Sequence, residues 1–312
     1  MIPPALPPST PAEPAPAATR LLTFDVEHWF EGLRYRGLDD WQQHPLRDDR
    51  IMERLLDTLC ARKQRATLFF TGRYAEDFPN IVRRAVREGH EIASHSYAHT
   101  VFPRFKNLAE FREDLIRSVA VLENLSGHKI LGYRAPKWSI PEASRPAVLA
   151  HLAELGFVYD SSKFPGWFDS SRASHPHRVG LQNGSSLWEV PATTYPLLGL
   201  RLPVAGGLYF RLFPTWVTTA ALAACSRRGQ PGMIYLHPYD IDANCPQPAV
   251  GGVLFRWLRY HGVATAFDQL DRLLARDRFT TVLQYVQQRE AAGPSKSAFH
   301  PFPYTLGCNS GV

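Results

Sequence analysis

The chain has 312 residues, of which 45% are hydrophobic and 21% charged, with a formal net charge of +6 and a pI near 9.2. That balance belongs to a globular protein with a sizeable core, and the length suits one large α/β domain or two smaller ones. The basic excess is spread along the chain without a run of five basic residues, so we set a nucleic-acid-binding module aside. It reads as a solvated surface, with a preference for anionic glycans or membrane surfaces as the sharper alternative.

Residues 1–19, rich in Pro and Ala, lack both a positive segment and an unbroken apolar run, so they read as a disordered tail and not as a secretory signal. No run of about 18 apolar residues follows, so no membrane span is expected and the cytoplasm is the default location. The main domain is expected over residues 20–290. It opens on the apolar run LLTFDVEHWF, Leu21 to Phe30, which ends in Asp25, Glu27 and His28.

Next come a polar loop and RIMERLLDTLCARK, with apolar residues at helical spacing. ATLFFTG reads as a buried strand, FPNIVRRAVREG as a helix with Pro79 in its first turn, and HEIASH as a strand. A long helix ends at Gly127, KILGYRAP is a strand broken by Pro136, and RPAVLAHLAELG is a helix leading into the strand FVYDSS. From Phe164 to Pro214 the alternation breaks, apart from a strand at LWEVPAT; the stretch reads as a loop region over one end. TWVTTAALAACSRRG, GMIYLHP and ATAFDQLDRLLARD resume it as helix, strand and helix, and FTTVLQYVQQ runs from strand into helix. Residues 291–312 read as an irregular tail laid over the surface. Cys60, Cys225, Cys245 and Cys308 are too few and too far apart for a disulfide framework, and Cys60 and Cys225 read as buried free thiols.

Alternating strand and helix units predict an α/β fold: a distorted (β/α) barrel of parallel strands with outer helices, with an open doubly wound sheet as runner-up. Apolar runs such as ATLFF suit strands buried on both faces. In a parallel barrel all strand C-termini share one face. That face would gather Asp25, Glu27 and His28, then His95 and His99, Arg134, Asp160, and His237 with Tyr239 and Asp240.

His95 and His99, four apart, would lie on one side of a helical turn and share one cation; the bland reading is two loop histidines. Two histidines, one carboxylate and an open position for water make a hydrolytic zinc pattern. Strand alternation puts Asp25 and Glu27 on one face and Val26 on the other. One carboxylate would bind the metal while the other handles protons.

TFDVEHWF, SHSYAHT, YRAPKWS, YDSS and IYLHPYDID, in that order, resemble the motifs of polysaccharide deacetylases with the NodB homology domain, carbohydrate esterase family 4. AGGLYFRLFP and RYHGVATAFDQLDRLLARDRF are similar to the Asp-Val-Glu subgroup with a C-terminal extension found in exopolysaccharide gene clusters. The resemblance implies a distorted (β/α) barrel that removes acetyl groups from an N-acetylated glycan with one divalent metal ion, zinc being the first choice. It implies Asp25 as base, Arg134 as its orienting partner, His237 as general acid, and His95 and His99 as metal ligands. Where the family has a second aspartate this chain has Val26, so the metal carboxylate moves to Glu27, with His28 in place of a following acid. Asp160 is expected to tune His237, and Trp138, Trp167 and Tyr239 to stack on sugar rings or serve as packing. An amidohydrolase of the same fold acting on a small amide or ureide, and a non-catalytic glycan binder, are the competing readings.

Overall fold

A computed structural model of the chain describes residues 19–44, 46–47, 49–165, 175–197, 200–203, 205–292 and 299–300. The expected amino-terminal tail, Trp167, Cys308 and most of the carboxyl-terminal tail lie outside the described residues.

The elements run β1 (Arg20–Val26), α1 (Asp49–Ala61), β2 (Thr67–Phe70), α2 (Gly72–Asp77), α3 (Pro79–Arg87), β3 (Glu91–Ser94), α4 (Leu108–Ser126), β4 (Gly132–Tyr133), α5 (Arg145–Glu154) and β5 (Tyr159–Asp160). They continue with β6 (His177–Gly180), β7 (Ser186–Glu189), β8 (Thr194–Leu197), β9 (Leu200–Pro203), α6 (Gly207–Leu212), α7 (Thr215–Arg227), β10 (Gly232–Leu236), α8 (Val253–Tyr260), α9 (Val263–Arg276), α10 (Val282–Ala291) and β11 (Phe299–His300).

Nine strands form one sheet in the order β10-β1-β2-β3-β4-β5-β7-β6-β11, parallel throughout except where β6 meets β7. The sheet curls into a half-barrel clothed by helices. Among the described residues no backbone ladder joins β10 to the β7 side. Instead the hydroxyl of Thr193, just past β7, accepts from the Met233 amide of β10 at 2.7 Å. Side chains on β1 alternate: Leu22, Phe24 and Val26 face the helices, while Leu21 faces the interior with Phe69, Ala93, Tyr159, Trp188 and Met233. On α1 the stripe Ile51, Met52, Leu55, Leu56 and Leu59 is buried against the sheet, each such side chain contributing about 1.5–3 kcal/mol.

Several expectations need correction. The stretch 164–214 is not only loop: it supplies β6 to the sheet and the separate hairpin β8–β9. Of the carboxyl-terminal tail, Phe299 and His300 form a strand parallel to β6. Not all helices are outside, because α10 closes the N-terminal mouth of the half-barrel. Its Val282 and Val286 join the interior cluster, and its Val282 and Leu283 amides are held by Thr67 and Glu91, the first residues of β2 and β3. Cys60 is exposed on the outer face of α1; Cys225 is buried.

Candidate metal and proton-transfer site

Strand alternation continues past the end of β1, so Asp25 and Glu27 point into the mouth of the half-barrel while Val26 is buried in the helix-side core. The segment that follows β3 brings in two imidazoles. Nδ1 of His95 lies 2.8 Å from the Arg134 carbonyl. A carbonyl only accepts, so Nδ1 carries the proton and Nε2 presents a lone pair. That Nε2 is 3.7 Å from Glu27 Oε2 and 4.0 Å from Asp25 Oδ2. His99 Nε2 pairs with Glu27 Oε2. Donor atoms of Glu27, His95 and His99 all lie within 4.8 Å of one another, in full burial. Beyond that pairing, Glu27 Oε2 accepts no hydrogen bond among the described residues. A buried anionic oxygen facing two imidazole nitrogens is a donor set that fits a divalent cation.

The two histidines do not share a helical turn. Ser96 (φ 65°) and His99 (φ 52°) adopt left-handed backbone, which interrupts any helix. The loop is held from outside: Tyr35 donates to the His99 carbonyl at 2.7 Å, Arg34 donates to the same oxygen at 2.9 Å, and Asp114 of α4 accepts from the Tyr97 amide at 2.8 Å. His28 turns away, with Nε2 2.9 Å from Asp77 and its ring stacked on Phe30.

Arg134, fully buried, donates to Asp25 Oδ1 at 2.6 Å and to Thr23 and Ser161 at 3.0 Å, with Phe69 under its guanidinium. Burial pushes the Asp25 carboxyl up, but the Arg134 charge, then His95 and His237, outweigh it and hold the acid below its ordinary range. Glu27 is likewise held well down, against burial, chiefly by His99. Burial lowers the His95 pKa to about 4.

Across the mouth, His237 Nε2 stands 3.9 Å from Asp25 Oδ2, and its Nδ1 lies 2.8 Å from Asp240 Oδ2. Burial would lower the His237 pKa, yet Asp240, with Glu27 and Asp25 behind it, raises it above the ordinary value. Asp240 itself is held at about 2: burial raises it, but His237 and then Arg211, whose NH2 is 3.2 Å from Oδ1, lower it further.

Asp160, expected beside His237, is instead buried against Arg145 and Ser162, next to Glu189. The carboxylate on His237 is Asp240, and the signal was present as His-Pro-Tyr-Asp: His237 caps the short turn of residues 238–240, whose Asp240 closes back on the His237 amide at 3.0 Å. Tyr239 is not a free stacking platform, since His237 stacks on one face at 4.6 Å, Arg259 covers the other at 4.2 Å, and its hydroxyl donates to Glu27 Oε1 at 3.0 Å. Trp138 packs edge-on against Phe164 and Tyr235 beside Arg134. Sequence reasoning gave no role to Arg211 and Arg259, although each lies in a stretch, AGGLYFRLFP or RYHGVATAFDQLDRLLARDRF, that carried the family resemblance.

Residues 14–158 match the polysaccharide deacetylase family, and residues 160–287 match a domain of unknown function, DUF3473. A peptidoglycan-N-acetylglucosamine deacetylase of Bacillus cereus is 37% identical over 89 residues, 28% of this chain and 32% of that protein. A peptidoglycan deacetylase of Helicobacter pylori is 32% identical over 97 residues, covering 31% of each chain. A chitooligosaccharide deacetylase of Sinorhizobium fredii is 44% identical over 45 residues, 14% of this chain and 21% of that protein. The chain thus spans about a third or less of the length of these relatives. A Mycobacterium smegmatis structure, provisionally described as a polysaccharide deacetylase, superposes with a TM-score of 0.62 at 22% identity, covering 96% of this chain and 99% of that one. PuuE allantoinase superposes at 0.58 with 18% identity, covering 90% and 93%. At such identities these two likenesses establish the fold alone.

Proposed function

We propose a reaction for this chain, which belongs to the polysaccharide deacetylase family through residues 14–158: metal-dependent removal of the acetyl group from an N-acetylated sugar in a glycan or its precursor. The single observation that carries it is the meeting, in one mouth, of a metal-type donor set, an ionised carboxylate with no role in that set, and a histidine whose pKa is raised. Glu27, His95 and His99 would hold the ion, zinc being the first choice for two imidazoles and a carboxylate with an open position. When bound, such an ion supplies a Lewis acid for the acetyl carbonyl and an acidified water.

The chain's own residues do the rest. Asp25, ionised and oriented by Arg134, takes the water proton. The backbone N–H of Lys137, next after Pro136, would donate to the developing oxyanion. His237 carries a proton on Nε2 and gives it to the departing sugar amine, while Asp240 on Nδ1 steadies the imidazolium. His237 suits delivery to a substrate because its side chain is 18% exposed, against 3% or less for Asp25, Glu27, His95 and His99. A non-catalytic glycan binder has no use for this base and acid together. The exopolysaccharide setting rests on the motif resemblance alone and belongs to the proposal.

The test is acetate release from N-acetylated oligosaccharides by zinc-loaded protein. Asp25→Asn and His237→Ala, each folded and with metal content confirmed, are expected to lose about 10²–10⁴-fold in kcat with little change in KM. If both keep turnover within a few-fold of the parent, the assigned roles are wrong.

A further inference from the structure

Among the described residues three cations stand around the mouth without a carboxylate in direct ion pair with them. Lys137 donates from Nζ to the Gly32 carbonyl at 3.2 Å and lies 4.6 Å from the Tyr35 ring centre. Arg259 covers the Tyr239 ring at 4.2 Å, donates to the Trp29 carbonyl at 2.8 Å, and passes 3.6 Å from where a β-carbon on Gly32 would be. Arg36 sits over Phe255 at 5.1 Å. Among the described residues none of the three makes an ion pair with a carboxylate, whereas their neighbour Arg34 has Glu31 at 3.2 Å. Partial burial of its ammonium pushes Lys137 down; Glu27 opposes this, and Arg36, Arg259 and Arg34 add to it, so three cations act on Lys137.

Such crowding is costly to a fold. Lys137 adds to the cost with left-handed backbone (φ 53°), which glycine or asparagine would adopt more cheaply. A divalent ion on Glu27, His95 and His99 would make the mouth more positive still. Lys137 and Arg36 are exposed, so their charges face whatever enters. The three cations, with no carboxylate paired to them among the described residues, call for an anion from outside.

We propose that the substrate of this site is an anionic glycan, carrying a carboxylate or phosphate group close to the N-acetylated sugar and held by Lys137, Arg36 and Arg259. The inference rests on the deacetylase reading for the identity of the site and names the substrate class that reading leaves open. Each charged contact is worth about a tenfold change in affinity.

The experiment measures binding, not turnover, on zinc-loaded Asp25→Asn protein. Three probes are compared: a hyaluronan tetrasaccharide, whose uronates alternate with N-acetylglucosamine; UDP-N-acetylglucosamine, whose charge is a diphosphate; and neutral chitotetraose. At least one anionic probe is expected to bind about tenfold more tightly than chitotetraose at low salt. That preference should shrink toward parity as added salt cuts the Debye length from about 30 Å to about 8 Å, and also when Arg36→Gln and Lys137→Gln are combined. A preference for the uronate probe assigns an acidic polymer, and one for the diphosphate probe an activated precursor; either supports the proposal. Neutral chitotetraose binding as tightly as both anionic probes, or a preference that survives loss of both side chains, overturns it. Because acetate is not the readout, a failure to hydrolyse counts against the reaction and not against this inference.

Discussion

A β-carbon built on Gly207 would stand 2.1 Å from Asp240 Oδ2, and one on Gly206 would stand 1.9 Å from the Tyr235 ring. The first contact cannot be relieved by a small shift, because Asp240 is fixed by His237 and Arg211 together. This makes Gly207 a positioning residue for His237, the proposed general acid, placed by the first turn of α6. Gly207→Ala should push Asp240 off Nδ1 and lower kcat by about 10–100-fold, within the span open to a general acid. The sign of the pH effect follows from His237, whose pKa stands above its ordinary value chiefly because Asp240 outweighs burial. With Asp240 displaced that pKa drops, so the protonated acid is lost at lower pH and the alkaline limb of the kcat profile moves down. A variant that merely loosened the fold would lose activity without moving that limb, so an unmoved limb in folded Gly207→Ala refutes the positioning role.

The loop after β3 keeps its shape because α4 holds it. Asp114 accepts from the Tyr97 amide at 2.8 Å, and Ser118 bonds both the Ser94 hydroxyl at 2.9 Å and the Ser96 carbonyl at 3.2 Å. Two left-handed residues in that loop would relax without these ties. Asp114→Ala is therefore expected to weaken zinc binding about tenfold, as loss of an outer-sphere support does. Competition against a chelating dye measures it, and parental affinity in the alanine variant would show that the loop holds itself. The same segment shows what sequence could reveal. Apolar runs bounded by Gly and Pro disclosed the strands and long helices, and polar strand ends pointed to the site. A spacing of four, however, was compatible with a helical turn until the backbone showed otherwise. The contributions of α6 and α8 were illegible, since Arg211 works through the carbonyls of residues 259 and 261 and a carboxylate remote in sequence. Asp160 was misplaced because a strand-end position gives the face of a barrel and not the neighbour across it.

The two family-matched regions meet between residues 158 and 160, yet the sheet does not divide there. β1, at the front of the first region, pairs along five residues with β10 of the second. α10 of the second closes the barrel interior against Thr67 and Glu91 of the first. The candidate metal donors lie in the first region and His237, Asp240, Arg211 and Arg259 in the second, so neither half holds the complete candidate site. Residues 20–290 should therefore unfold in one transition, and a chain ending at 159 should show no cooperative melting, with β1 unpaired on one side and the interior open. Zinc reports on the same coupling: at about 100 times its Kd it should stabilise the intact protein by about 2.7 kcal/mol, raising Tm by several degrees as a single shifted transition, and His99→Ala should abolish the rise. Two separable transitions, with only the first moved by zinc, would mean that the regions are independent domains and that the extension merely leans on the barrel.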